Sequence, residues 1–246
     1  VEMYGCQYDQ VLLKKERNYK FCVEDVLAAL NGQHKLVYLD NPNNPTGQII
    51  PLMEIEKILA AAQKQNVFVI VDEAYGDYMP KQNSAMQLVD KYDNLIVVKT
   101  FSKGFGLAGL RGGYLVLPLE LVPYVGNISN PYTMSGLSRS VAAQTMKDEA
   151  FLEVLMEKTG EIKRQLLSLP LRHITAAETA DTVSICLLTY DDPQVDLAEE
   201  FAKHRILVIS GKDFHNLGKN SVRLRVPGEA DMPKVLQALK EIDGFH

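Results

Sequence analysis

The 246-residue sequence has no tryptophan and only three cysteines. Cys6, Cys22 and Cys186 are widely spaced and form no CxxC pair. That pattern argues against a disulfide framework and against a zinc site, and makes a reducing cytosol the expected compartment. Histidine is also scarce: His34, His173, His204, His215 and His246 never fall at metal-ligand spacing, so no metal is expected. Positive charge is not in surplus. A net charge of −5 gives no general attraction to nucleic acid or to an anionic membrane surface, so an anionic ligand must be met by local cations. No apolar run approaches the ~18–20 residues that span a bilayer, and Val1–Gln10 lacks the charged and apolar regions of a signal peptide. No internal repeat or low-complexity tract is present.

What is there is an ordinary globular composition, 46% hydrophobic and 23% charged, long enough for a substantial core. The first half alternates strand-like and helix-like stretches. Lys35–Asp40, Val67–Asp72, Leu95–Val98 and Gly113–Leu117 read as short β-rich runs, with Val67–Asp72 apolar enough to be covered on both faces. Leu52–Asn66 carries apolar residues at helical spacing without Gly or Pro. Buried strands separated by helices or long crossovers predict βαβ units and an α/β fold with a mainly parallel sheet. After Pro118 the character changes. Asn127–Ser135, rich in Asn, Ser and Pro, reads as a junction between a large domain (residues 1–127) and a smaller α/β domain (residues 128–246). The second part predicts a helical stretch over Leu137–Leu167 with a break near Lys147–Asp148. It also predicts strands at Val183–Leu188, Ile206–Ile209 and Ser221–Val226, and helices at Val195–His204 and Met232–Ile242.

Open parallel sheets gather ligands at the carboxyl ends of their strands. The conspicuous polar residues lie there. One strand ends in Asn41-Pro-Asn-Asn-Pro-Thr-Gly47, the next in Asp72-Glu-Ala-Tyr75, the third in Lys99-Thr-Phe-Ser-Lys103. Adjacent strands would thus deliver an amide, a carboxylate with a phenol, and an amine to one crevice. Lys103 lies between Ser102 and a glycine-rich run ending at Arg111, where desolvation or neighbouring cations would make its amine a nucleophile. The run Gly104-Phe-Gly-Leu-Ala-Gly109 also spells GxGxxG. Arg111 and another strand follow too soon for the helix and acidic residue that a dinucleotide fingerprint requires.

The segments NPNNPTG (41–47), VDEAY (71–75) and TFSKGFGLAGLRGGY (100–114), in this order and spacing, resemble the class I/II aminotransferases of PLP fold type I. Locally they are most similar to the histidinol-phosphate aminotransferase branch, which includes the related threonine-phosphate decarboxylases. The similarity runs from Met3-Tyr4 to the C-terminal helix. It implies pyridoxal 5′-phosphate (PLP) carried by Lys103 as a Schiff base. Asp72 would pair with the ring nitrogen, Tyr75 and Asn44 would contact the phenolic oxygen, and Ser102 and Arg111 would hold the phosphate. Val222-Arg-Leu-Arg-Val226 resembles the family's carboxylate-binding segment, with Arg223 the chosen clamp and Arg225 its rival; strand alternation puts both on one face. The resemblance further implies a homodimer acting on an amino acid and a 2-keto acid. It also implies elements upstream of Val1 that relatives carry, so the large domain is expected to be incomplete at its N-terminus, with an unpaired sheet edge. Phosphate-substrate relatives tend to have an arginine near Ile209 and an asparagine at Asp181, departures that speak against a phosphorylated substrate. The alternatives are a decarboxylase on the same scaffold and a catalytically impaired binding homologue.

Overall fold

The computed structural model describes residues 5–130 and 133–244; the Met3-Tyr4 end of the sequence similarity, two residues of the Asn127–Ser135 junction, and His246 lie outside them. Two four-stranded sheets organise the chain.

The first sheet contains β1 (Leu36–Asp40), β2 (Phe68–Asp72), β3 (Leu95–Thr100) and β4 (Gly113–Val116), in that order. The first three are parallel and in register, Asp40 beside Asp72 and Asp72 beside Val98. The fourth returns antiparallel, Thr100 opposite Gly113. Its connection, Phe101–Gly112, is built of turns with no crossover helix, so the chain can only reverse. Helix α1 (Val23–Ala29) and helix α2 (Leu52–Gln63) pack against each other beside this sheet. Ile55, Ile58, Leu59 and Ala62 of α2 are fully buried with Val67, Val69, Val71 and Val97. The helix ends three residues before the predicted Asn66. There the left-handed backbone of Asn66 turns the chain, and the Val67 amide bonds back to the Ala62 carbonyl. β1 and β4 form the sheet edges and leave Leu36, Tyr38 and Leu115 exposed.

Helices α3 (Val122–Ile128), α4 (Gly136–Thr145) and α5 (Glu149–Leu167) follow. The break between α4 and α5 falls where it was predicted. The Asp148 carboxylate accepts the Phe151 amide, and this cap starts the second helix. The second sheet has the order β5 (Ile174–Ala176), β6 (Ile185–Tyr190), β8 (Ser221–Arg225), β7 (Ile209–Ser210), antiparallel throughout. Helices α6 (Leu197–Lys203) and α7 (Met232–Ile242) bury Leu197, Phe201, Met232, Val235 and Leu239 on it. The strand predicted over Ile206–Ile209 shrinks to Ile209–Ser210. Arg205 is left-handed and the Ile206 amide bonds back to Phe201, so this backbone closes α6 instead of entering the sheet. A small apolar cluster of Tyr75, Tyr78, Val183 and Ile185 joins the two sheets.

Candidate active site

The register of β1–β3 brings three strand ends level. The Asn41 amide bonds to the Asp72 carbonyl and the Glu73 amide to the Val98 carbonyl. Beyond β1 the loop is held by Asp40, whose carboxylate accepts from Asn43 Nδ2 (2.9 Å) and from the Asn44 amide (2.7 Å). Burial pushes the Asp40 carboxyl above the usual range, and these donors oppose that shift. So held, the loop directs Asn44 at the second sheet, where its Oδ1 accepts from Arg223 Nη1 at 2.8 Å. Arg223 also lies over the Phe214 ring, 5.8 Å from its centroid. Arg225, its rival in the sequence, is exposed at the end of β8 and makes no such contact.

Asp72 closes β2 half-buried. Its Oδ1 accepts the Ala74 amide at 2.8 Å, and its Oδ2 accepts the Tyr38 hydroxyl at 2.5 Å. Burial, then the carboxylate itself, raise the Tyr38 pKa, so the phenol stays a donor. Tyr75, three residues on, is buried, and Lys103 Nζ lies 5.2 Å from its ring centroid. The Lys103 amine makes no hydrogen bond or ion pair with any described residue and the residue is exposed, so the expected desolvation is not present. The following Gly104 has to be glycine, because a Cβ there would fall 2.4 Å from Asp77 Cβ.

Ser102 and Arg111 open on a neighbouring cavity of about 860 Å³, shared with Lys99 and Tyr114, whose lining includes neither Lys103 nor Asp72. The Ser102 hydroxyl accepts from Thr100 Oγ1 at 2.9 Å; Arg111 turns its guanidinium to the Ala108 carbonyl from a left-handed backbone. The GxGxxG run forms turns and one 3-10 turn, Ala108–Leu110, with no α-helix starting inside it.

Behind these residues lies a polar cluster that the sequence reading missed. Buried Glu73 accepts from Ser84 Oγ (2.6 Å), the Ala85 amide (2.6 Å) and Lys99 Nζ (2.9 Å). Asp77, next to it, has one buried oxygen with no hydrogen-bond partner among the described residues, and burial pushes its carboxyl up to about 6. Glu73 and Lys99 adjoin Asp72 and Thr100 in sequence, and charged residues inside otherwise apolar strand ends were the available signal. Tyr38 gave none, because it is the β1–β2 pairing, with Tyr38 opposite Ile70, that brings its hydroxyl diagonally to Asp72.

The geometry thus gathers Asn44, Arg223, Asp72, Tyr75 and Lys103 around the ends of β1–β3, with Ser102 and Arg111 alongside. A model of the "Aminotransferase class I and II" family matches residues 1–239. The chain is 30% identical over 230 residues to the histidinol-phosphate aminotransferase of Methanocaldococcus jannaschii, covering 93% of this chain and 61% of that protein. It therefore spans about three fifths of that relative's length. The crystal structure of the histidinol-phosphate aminotransferase from Clostridium acetobutylicum shares the fold with a TM-score of 0.80 at 20% identity, over 94% of this chain and 70% of that one. That of L-threonine-O-3-phosphate decarboxylase from Porphyromonas gingivalis has a TM-score of 0.72 at 21% identity, over 85% of this chain and 64% of that one. The chain belongs to the class I and II aminotransferase family.

Proposed function

We propose that this member of the class I and II aminotransferases is the core of a PLP-dependent enzyme moving an amino group between an amino acid and a 2-keto acid. One observation carries the reading. Lys103 is an unpaired, accessible amine set against Tyr75 within the same group of strand ends that holds a carboxylate and the Asn44–Arg223 pair. The donor set fits an aromatic aldehyde bearing a phosphate and a basic ring nitrogen. Lys103 would hold the aldehyde carbon covalently. Asp72 would accept from the protonated ring nitrogen, with Tyr38 exchanging its own bond to Oδ2. Tyr75 and Asn44 would meet the phenolic oxygen. Ser102 and Arg111 would take the phosphate, a hydroxyl and a guanidinium suited to that anion.

When bound, PLP supplies an electron sink for charge developing at the substrate Cα. The protein's own part is proton and position. The Lys103 amine would remove the Cα proton, hold it, and return it two bonds away, at the former aldehyde carbon. Arg223 would grip the substrate α-carboxylate bidentately, a geometry a lysine does not reproduce. Asn44, bonded to that guanidinium, would fix its plane. Ile209 stands opposite Arg223 in the β7–β8 pair and offers no cation for a phosphate on the substrate. Residues 1–127 would form the cofactor-binding domain and 128–246 the smaller one. A cytoplasmic homodimer belongs to the same reading, supported by the free Cys22 and Cys186 and by exposed Leu119, Tyr124, Ile128 and Leu137.

Adding PLP to the purified chain should generate a visible absorption band that Lys103→Ala lacks. Amino acid and 2-keto acid should then exchange nitrogen without release of CO2. Absence of any band in the wild-type chain would overturn the reading, and CO2 in place of keto acid would convert it to a decarboxylase.

A further inference from the structure

We infer that Lys163, near the C-terminal end of α5, is a positioning residue that locks the 179–185 segment onto the Asn41–Gly47 loop and thereby sets Asn44 against Arg223. Its side chain is fully buried. Nζ donates to Thr179 Oγ1 at 2.6 Å and to the carbonyls of Ala180 (2.6 Å), Val183 (2.9 Å) and Ile185 (2.8 Å). No carboxylate is among these partners. An ammonium has three N–H groups, so the four oxygens saturate it. Without it, the buried Val183 carbonyl would have no donor among the described residues, a state that folded chains avoid, and the Ala180 carbonyl would keep only the Val183 amide at 3.2 Å.

The segment that Lys163 gathers is the same one that touches the site. The Ala180 amide donates to the Gly47 carbonyl at 3.0 Å, and Thr182 Oγ1 donates to the Tyr78 carbonyl at 2.7 Å. Val183 and Ile185 pack with Tyr75 and Tyr78. The approach at Gly47 is close enough that a Cβ there would fall 2.2 Å from the Ile185 oxygen, an oxygen that Lys163 bonds. Gly47 is also left-handed, at φ +75°. From Ile185 the chain enters β6, where Leu187 is the register partner of Arg223. Arg223 bonds Asn44, and Asn44 leads back to Gly47 and Ala180. The circuit is closed, and Lys163 is the one group in it that bonds four points of the 179–185 segment. Asp181 and Cys186 are the titratable groups facing the ammonium, and Arg164 pairs with Asp181 at 3.7 Å. Burial pushes Lys163 down to about 8, while its oxygen acceptors favour the charged form.

The inference rests on reading Asn44 and Arg223 as one site, so it is tested first in the cofactor-free chain. Amide hydrogen exchange is compared in wild type, Lys163→Met and Thr179→Val, the last removing one acceptor and serving if the first variant does not fold. The expected result is exchange at Ala180 faster by ten-fold or more in Lys163→Met and by about three-fold in Thr179→Val, with the Leu187 and Leu224 amides at wild-type rates. In PLP-loaded protein, KM for the amino donor should rise more than kcat falls. Wild-type exchange at Ala180 in the folded variants would overturn the inference, as would equal acceleration throughout β5–β8. Loss of the visible band in the wild type, by contrast, would sink the proposed function and leave the exchange result standing.

Discussion

The turn after β3 leaves Lys103 exposed, its amine set over the Tyr75 ring without a hydrogen bond among the described residues, whereas the 179–185 segment closes four oxygens around a fully buried Lys163. Both are lysines on the way into the same site, and their surroundings divide the labour. On the proposed reading, an amine that forms and breaks a bond to carbon is left without strong partners. An amine that must hold backbone has to be saturated with them. Lys99 shows a third treatment, half-buried and neutralised by Glu73 at 2.9 Å. The comparison extends to the carboxylates behind the site, where Glu73 has three donors and Asp77 keeps one oxygen without any.

The contrast between the lysines breaks if their removal has similar consequences. Lys163→Met should lower the unfolding free energy by about 3 kcal/mol, because several buried acceptors lose their donor. Lys103→Met should change it by less than about 0.5 kcal/mol, as an exposed side chain whose amine has no hydrogen bond or ion pair among the described residues. Urea titration of both variants measures the difference; equal values would dissolve the distinction. The carboxylate comparison predicts a gain. The folded Asp77 carboxyl sits at about 6, above its unfolded value of 3.8. Its raised pKa means the folded state binds the proton more tightly, so this contribution to stability is present below about pH 4 and lost as pH rises through 6. Asp77→Asn should therefore stabilise the chain by about 2 kcal/mol at pH 7, with the advantage vanishing near pH 4 in thermal melts. Glu73→Gln should have the opposite sign, since Lys99 would lose its partner. The smallest effect sharpens the account of the joint: Thr179→Val should cost about 1 kcal/mol in the same urea titrations, one hydrogen bond out of four.

Much of the first sheet was legible because its strands are apolar runs that end abruptly in polar turns. VFVIVD, LIVV and the NPNNPTG loop announce both the strands and the place where their ends meet. That pattern marked an amide, the Asp72 carboxylate and the Lys103 amine, and the family resemblance then singled out Asn44 among the asparagines. Strand register did not separate Arg223, the chosen clamp, from Arg225, because alternate residues share a face; in the structure it is Arg223 that bonds Asn44, far away in sequence. Lys163 was invisible for a different reason. In Glu161-Ile-Lys-Arg-Gln165 a lysine reads as part of a wet helical face, and its burial depends on carbonyls 17 to 22 residues further on. Tyr38 was hidden by register and β7 by the left-handed turn at Arg205. Helix α3 carries Pro123 and Gly126, which mask it in a propensity reading. Local pattern gave strands and loops; what packing decides stayed out of sight.

The central claim is that among the chain's lysines it is Lys103 that is kept available for covalent chemistry. Incubation with one equivalent of PLP, reduction with borohydride and peptide mass spectrometry test it directly. The account predicts a single dominant phosphopyridoxyl adduct on the peptide containing Lys103, with Lys99 and Lys163 unmodified. An adduct spread over surface lysines, or one on Lys99 or Lys163 in its place, would contradict it.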